Sequence, residues 1–156
     1  MDKYDGGRGK LPVQWVVIVI SLGFLLVGIL GFIPGVTTNV DDLQWLGHDE
    51  DALLLDVFEV SIFHNLVHGA FGLVGLLAAR SARASQIYLV LGGLVYLALW
   101  VYGLVIDHSS DANFIPVNDA DNWLHLALGV TMVLLGILLQ PRTRGSRSLT
   151  NVDYRS

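Results

Sequence analysis

Residues 13 to 33 read VQWVVIVISLGFLLVGILGFI, a run of 21 residues without a charged side chain. At a rise of 1.5 Å per residue, an α-helix of this length is about 30 Å long, which matches the hydrocarbon core of a bilayer. Pro34 and Gly35 then end the helix, because proline lacks an N–H and glycine lacks a Cβ. The apolar region of a cleaved signal peptide is shorter, at about 7 to 15 residues, so the run predicts a retained transmembrane helix.

Three further apolar runs follow in the chain. Asp121 and Asn122 precede the last of them and are predicted as N-caps, since their side-chain oxygens accept hydrogen bonds from free backbone N–H groups. A helix is the only open-ended segment that satisfies its own backbone hydrogen bonds in lipid. The sequence therefore predicts an all-α polytopic membrane protein, a four-transmembrane-helix bundle forming one domain over residues 1–156, with spans at about 13–33, 57–79, 86–106 and 123–139.

The composition agrees with a membrane location. Of the 156 residues, 53% are hydrophobic and 15% are charged, and the mean hydropathy is +0.59. These values are too apolar for an ordinary soluble domain of this length. The chain contains no cysteine, which excludes disulfides, thiolate metal ligands and catalysis by a thiol.

The distribution of charge predicts the orientation. All nine basic residues lie before the first span, between the second and third, or after the fourth, and with three acidic residues they give these segments a net charge of +6. The other eleven acidic residues give the opposite side of the bundle −11. Because short loops rich in Lys and Arg stay in the cytoplasm, both termini are predicted to be cytoplasmic.

The two longer loops are therefore expected outside the cytoplasm. Residues 36–56 carry Leu43, Trp45 and Leu46 among acidic side chains, a pattern that favours a short interfacial helix with Trp45 among the lipid headgroups. Residues 107–122 are rich in turn-forming residues. Two interpretations stay open for this acidic surface, a solvated loop or a site for a hard cation.

Small and polar residues predict which faces of the helices point inward, because membrane helices associate through close packing and hydrogen bonds. At 100° per residue, each span places such residues on one stripe. The stripes contain Ser21, Phe24, Gly28 and Gly31 in the first span; Ser61, His64, His68, Gly72 and Gly75 in the second; Gly92, Tyr96, Trp100, Gly103 and Asp107 in the third; and Asn122, His125, Gly129, Met132 and Gly136 in the fourth.

Histidines within the spans are the candidate site residues. His64 and His68 are four positions apart on one helix face, where with His125 they would form a three-histidine metal site. A haem held between His64 or His68 and His125 is a second hypothesis. A third is structural, in which His68 and His125 form hydrogen bonds to Asn65, Asn122, Tyr96 or backbone carbonyls across helix interfaces.

Other activities find less support in the sequence. A proton or ion pathway through Glu59, His64 and His68 would lack an inner half, because no acidic residue lies deep in the cytoplasmic half of any span. No phosphate-binding loop, dinucleotide fingerprint or nucleophile-elbow motif is present. We therefore expect no enzymatic activity and no nucleic-acid partner.

Two segments carry a family resemblance: NLVHGAFGLVGL at residues 65–76 and NDADNWLHLALG at residues 118–129. They resemble a family of small bacterial membrane proteins, common in actinobacteria, that is described only as a domain of unknown function. The resemblance extends from about the first span to the fourth and implies a four-helix inner-membrane protein. It implies no reaction, ligand or partner. Its recurrent polar positions correspond to Asn65, His68, Asp121, Asn122 and His125, and do not include His64.

These observations lead to three functional hypotheses. The first is a non-enzymatic membrane protein that is an accessory or stabilising subunit of a larger membrane assembly, or a small homo-oligomer. Its partners would be the lipid bilayer and other membrane subunits, or a second copy of itself. The alternative is a metal-binding or haem-binding membrane protein with His68 and His125 as ligands, joined by His64 in the metal site. The third is a small channel or carrier.

Overall fold

The computed structural model describes residues 9–47, 52–110 and 112–140. Over these residues the protein is all-helical apart from a small hairpin, which confirms the predicted all-α class. Three of the helices, α1, α3 and α4, are long and apolar enough to cross a membrane. The fourth, α2, is apolar but has 17 residues. In chain order the elements are α1 (Pro12–Leu30), a 3-10 turn (Val40–Asp42), β1 (Leu53–Leu54), β2 (Phe58–Glu59), α2 (Ile62–Ala78), α3 (Ala82–Val105) and α4 (Asp119–Leu138).

Three helix starts differ from the predicted spans, and side-chain caps explain all three. Helix α3 begins at Ala82 instead of residue 86, with Ser81 as its N-cap accepting the N–H of Ala84 at Oγ at 3.4 Å. Helix α2 begins at Ile62, because Ser61 accepts a hydrogen bond at Oγ from the backbone N–H of His64 at 3.1 Å. Helix α4 begins at Asp119, with Asn118 as its N-cap. Asn118 Oδ1 accepts the N–H of Asp121 at 3.0 Å, and Asp121 Oδ2 accepts the N–H of Asn118 at 3.2 Å. The prediction of Asp121 and Asn122 as N-caps is therefore wrong, since both lie inside the first turn.

The four helices pack as two antiparallel hairpins, α1 with α2 and α3 with α4, with far fewer contacts between the hairpins than within them. Glycines permit the close approach within each hairpin. A Cβ added to Gly28 would lie 2.7 Å from the carbonyl oxygen of Asn65, and one added to Gly93 would lie 2.8 Å from that of Gly129. Such distances are shorter than van der Waals contact, so the backbones approach closely where glycine is present.

The buried faces agree with most of the predicted stripes. All five residues predicted for α4 are buried, from Asn122 to Gly136. In α2 the stripe is rotated slightly, because Asn65 is buried and His64 is only partly buried. Trp100 of α3 is likewise only partly buried. Asp107, predicted for the same stripe, lies beyond the end of α3 and is exposed. The inward-facing residues were thus predicted correctly except near His64, at Trp100 and at Asp107.

Side chains close the helix ends within the first hairpin. Asn65 of α2 donates from Nδ2 to the carbonyl of Gly31, at the end of α1, at 2.9 Å. Gln14 of α1 donates from Nε2 to the carbonyl of Ala79, at the end of α2, also at 2.9 Å. The last carbonyls of a helix have no partner within it, and lipid offers none. Each helix of the α1–α2 pair therefore satisfies one terminal carbonyl of the other.

The loop between α1 and α2 forms a small cap instead of the predicted interfacial helix. Helical geometry is limited to the 3-10 turn, and strands β1 and β2 pair antiparallel farther along. Leu55 and Asp56, with φ of 56° and 58°, connect the strands in left-handed conformations, and the N–H of Val57 donates to the carbonyl of Leu54 at 3.2 Å. The expected interfacial helix is therefore wrong for the described part of this loop, whereas residues 48–51 lie outside it.

Candidate functional site

Tyr96 of α3 connects two of the candidate histidines. Its ring centroid lies 5.4 Å from that of His125 on α4 and 6.4 Å from that of His68 on α2. His64 is one turn away on α2, with its ring centroid 4.2 Å from that of His68. The structure therefore brings all three predicted histidines to one region of the bundle, from two helices in different hairpins.

Two imidazole nitrogens in this region are buried without a hydrogen-bond partner in the described part of the chain. They are Nδ1 of His68 and Nδ1 of His125. The two residues are only 8% and 4% exposed, respectively. Buried polar atoms are nearly always paired, and an unpaired one is costly. The interhelical hydrogen bonds predicted for these histidines are thus missing at the two Nδ1 atoms.

The neighbouring amides do not form hydrogen bonds to His68 or His125 in the described structure. Asn65, a predicted partner of the histidines, uses Nδ2 to bind the carbonyl of Gly31, and its Oδ1 lies 3.4 Å from Nδ1 of His64. Asn122 lies against α3, where a Cβ added to Gly103 would overlap its side chain. Asn65 thus binds the end of α1, and Asn122 packs at the crossing of α3 and α4, where its Oδ1 is buried without a hydrogen-bond partner among the described residues.

A cavity of about 370 Å³ lies beside the histidines, between α1 and α4. Its polar lining consists of His64, His68, His125 and Asp121, and its other lining residues have no polar side chain. Because α1 and α4 hardly contact each other, the space between them is open at the side. The apolar walls and lateral opening make this the candidate binding site of the described structure.

The β1–β2 hairpin closes the cavity at one end. Leu54 and Phe58 line the cavity from the two strands. Asp121 holds this cap in place, because its Oδ2 accepts the backbone N–H of Glu59 at 2.9 Å. Asn118 adds a second link by donating from Nδ2 to the carbonyl of Val57 at 2.8 Å. Asp121 therefore has a structural role at the start of α4 as well as a place in the cavity lining.

Sequence analysis missed the apolar walls of the cavity. Phe24 was predicted to face inward, and its ring stacks on Tyr96 with centroids 5.4 Å apart. Leu54 and Phe58 of the hairpin and Leu124 of α4 were not predicted as site residues. No pattern pointed to the hairpin residues, since strands of two residues show no alternation. Leu124 is adjacent to His125, which was the one available signal.

The described residues contain no group of three or more His, Cys, Asp or Glu side chains arranged to hold a metal ion. The metal site proposed for His64, His68 and His125 therefore receives no geometric support. That observation does not address a ligand held by His68 and His125 alone. The three-histidine metal site and the two-histidine site both remain predictions.

The loop between α3 and α4 is organised around a buried side-chain amide. Asn113, which is fully buried, accepts the N–H of Val117 at 3.1 Å and donates to the carbonyls of His108 and Val117 at 3.1 and 3.2 Å. Asp107 accepts hydrogen bonds from the N–H and Oγ of Ser109. These are turn-stabilising contacts, as a solvated loop requires.

Comparison with known proteins gives one match. A family model described as a domain of unknown function, DUF4383, matches residues 14–138, a stretch that includes the cavity and nearly all of the four helices. No curated protein and no solved structure matches the chain.

Proposed function

This chain belongs to the DUF4383 family, a domain of unknown function, and we propose that it is a non-enzymatic protein that crosses a bacterial cytoplasmic membrane four times and acts by association. Three of its helices are apolar and long enough to span, so a membrane protein is indicated directly. The number of spans, the orientation and the mode of action are the proposed parts, and each has its own support.

The case for a fourth span depends on α2. Its 17 residues extend about 26 Å as a helix, close to the thickness of a bilayer core. It packs along α1 for most of its length. Its exposed residues are apolar, among them Leu66, Leu73, Val74 and Leu77. A lipid-facing surface of this kind supports a helix that crosses the membrane beside α1.

The proposed orientation follows from the charges. With four spans, the segments that carry all nine basic residues lie at one end of the bundle, and the acidic loops lie at the other. The positive-inside rule then places both termini in the cytoplasm. A reporter fused after Ser156 is expected to remain cytoplasmic, whereas one inserted at Ala112 is expected outside. The opposite result would invert the proposed topology.

The proposal of association is supported by an open groove on the α1–α2 helix pair. It has a volume of about 580 Å³ and is lined by residues that include Gly69, Ala70 and Leu73. A Cβ added to Gly69 would meet nothing within 4 Å, whereas one added to Gly28 would meet the neighbouring helix. Small residues on a membrane helix permit another helix to approach closely, so this groove fits a helix from outside the chain.

We accordingly propose that the protein is an accessory or stabilising subunit of a larger membrane assembly, or a small homo-oligomer. Its partners are the bilayer and other membrane proteins, or a second copy of itself. Intact-complex mass spectrometry after mild extraction from native membranes is the test. We expect additional subunits with the natural chain, and their loss when Gly69→Leu fills the groove. Ala98→Leu, on the exposed face of α3, is the matched control and should retain them. A lone monomer from native membranes would refute association.

The alternative function has support of its own in the unpaired Nδ1 atoms of His68 and His125. Imidazole is a ligand for zinc, copper and haem iron alike. If the pair holds a metal or a haem, the purified protein should contain it stoichiometrically, and His68→Ala or His125→Ala should remove it. Metal analysis and the Soret absorbance of the natural chain provide the measurement. Transport, the third hypothesis, stays a prediction for flux assays in liposomes.

A further inference from the structure

We propose that the cavity between α1 and α4 binds a neutral, lipid-soluble molecule with a hydroxyl-bearing ring, of the phenol or quinol class, with its hydroxyl group at His68 and His125. This inference goes beyond the proposed association and does not depend on it. It assigns an organic ligand to the site, in place of a metal or a haem.

The size and walls of the cavity fit a small apolar body. About 370 Å³ lies within the range of small-molecule sites, roughly 300 to 1,000 Å³. Eleven of its fifteen lining residues have no polar side chain. Two aromatic residues, Phe24 and Phe58, are among them, and they offer ring surfaces against which an aromatic ligand packs favourably.

The opening of the cavity determines where the ligand comes from. Leu26 of α1 and Leu124 of α4 line the cavity, and they are 55% and 38% exposed, respectively. With α1 and α4 in the proposed membrane orientation, this exposed flank faces lipid chains. The outer end, toward water, is covered by the hairpin through Leu54 and Phe58. A ligand that enters from the side must therefore already be dissolved in the bilayer.

The polar end of the cavity selects the head group. Nδ1 of His68 and Nδ1 of His125 are buried and lack a hydrogen-bond partner among the described residues, although both imidazoles line the cavity. A neutral imidazole has one nitrogen that donates and one that accepts. A hydroxyl group both donates and accepts, so it suits a neutral imidazole whichever nitrogen carries the proton. A hydrocarbon would leave these nitrogens unsatisfied.

Charged head groups fit the site less well. Among the described residues no lysine or arginine lines the cavity, so a phosphate or carboxylate would have no fixed positive charge there to bind, and it would lie near the carboxylate of Asp121. An ammonium group would meet one carboxylate, that of Asp121, whose Oδ2 already accepts the backbone N–H groups of Glu59 and Asn118, and it would leave water for a cavity that is otherwise mostly apolar. A neutral head group avoids both difficulties, because moving a charge out of water into an apolar site is costly.

Binding of para-octylphenol to the full chain in phosphatidylcholine nanodiscs tests the inference. Octylbenzene, which lacks only the hydroxyl group, and octylamine, which carries a charge, are the comparison probes, and empty nanodiscs correct for partition into lipid. We expect the phenol to bind best, by roughly two- to tenfold over octylbenzene, the range for one hydrogen bond. We also expect the imidazole ¹⁵N resonances of His68 and His125 to shift when it binds.

Variants locate the site. His68→Phe and His125→Phe keep a ring of similar size and should weaken phenol binding by the same roughly two- to tenfold without changing octylbenzene binding. His108→Phe, in the outer loop, is the matched control and should bind normally. Leu124→Trp fills the cavity from its exposed side and should weaken every probe, which tests the site even if a histidine variant fails to fold.

Three results would overturn the inference: equal binding of phenol and octylbenzene, unchanged phenol binding by Leu124→Trp, or displacement of the phenol by Zn²⁺ or haem at stoichiometric amounts. Native mass spectrometry of the same nanodisc samples reports the oligomeric state. Phenol binding by a monomer would therefore support the ligand site while contradicting the proposed homo-oligomer.

Discussion

Adding a single methyl group at the α3–α4 crossing should destabilise the protein, and the size of the effect follows from the interhelical distances. In Gly93→Ala the new Cβ would lie 2.8 Å from the carbonyl oxygen of Gly129 and 2.9 Å from the backbone N of Val133. Ordinary contacts of a Cβ begin near 3.4 Å, so α3 and α4 would have to separate by about half an ångström along their shared interface. The Cβ would also lie 2.8 Å from Cγ2 of Val133, but moving that side chain would not relieve the two backbone contacts.

The expected cost is the difference between two terms. Overpacking a well-packed interface typically costs about 1–3 kcal/mol. Alanine returns up to about 1 kcal/mol by its higher helix propensity. With the overpacking cost at the middle of its range, about 2 kcal/mol, Gly93→Ala should lower the free energy of unfolding by about 1–2 kcal/mol. Gly129→Ala should act in the same direction with a smaller cost, because its Cβ would lie 2.8 Å from Cγ of Leu97, a side chain that can shift, and 3.0 Å from the carbonyl oxygen of Gly93.

Gly23 provides the matched control. A Cβ added to Gly23 would meet nothing within 4 Å. Gly23→Ala should consequently be neutral or raise stability by up to about 1 kcal/mol, through helix propensity alone. Reversible unfolding in mixed micelles, followed by circular dichroism, measures all three variants under one condition. The packing argument is wrong if Gly93→Ala and Gly129→Ala are as stable as Gly23→Ala.

Three further changes test other parts of the fold by the same assay. Asn65→Asp removes the donor to the Gly31 carbonyl and should cost about 1–2 kcal/mol, at the upper end for a membrane hydrogen bond; a neutral result would contradict its capping role. Asn113→Ala leaves three backbone groups of the outer loop unpaired and should cost about 2 kcal/mol or more, with loss of proteolytic resistance in residues 107–118 as a second readout. Leu55→Asn should stabilise the hairpin by about 1 kcal/mol, because asparagine tolerates the left-handed conformation better than leucine, whereas Val57→Asn, without a positive φ, should show no gain.

Hydropathy and helical periodicity predicted the helices and most of their buried faces. Both signals are local, so they depend on a few neighbouring residues and not on how the helices are arranged. The buried face of α2 shows what such a local signal cannot predict. His64 and Asn65 are adjacent, and the choice between them as the buried residue depends on the Gly31 carbonyl of another helix. A partner contributed by α1 cannot be identified from the sequence of α2.

The hairpin and the cavity were not predictable for related reasons. A tight β-hairpin turn is usually recognised in a sequence by Asn-Gly or Asp-Gly. Here Leu55 and Asp56 adopt the left-handed conformations instead. The sequence placed three histidines inside the bundle and could not reveal a gap between α1 and α4. That gap depends on how the α1–α2 pair packs against the α3–α4 pair, and these pairs make few contacts with each other.

The mutual closure of helix ends in the first hairpin has a consequence for how the protein is made. Once Asn65 has bound the Gly31 carbonyl and Gln14 the Ala79 carbonyl, each of the two helices has a terminal carbonyl satisfied by the other, and neither of these bonds involves α3 or α4. In the four-span arrangement that we propose, this pair can leave the insertion machinery before α3 and α4 have emerged. The two halves of the molecule would then meet within the bilayer, with the histidine cavity between α1 of one half and α4 of the other. A small molecule present in the membrane at that moment would be enclosed as the halves join.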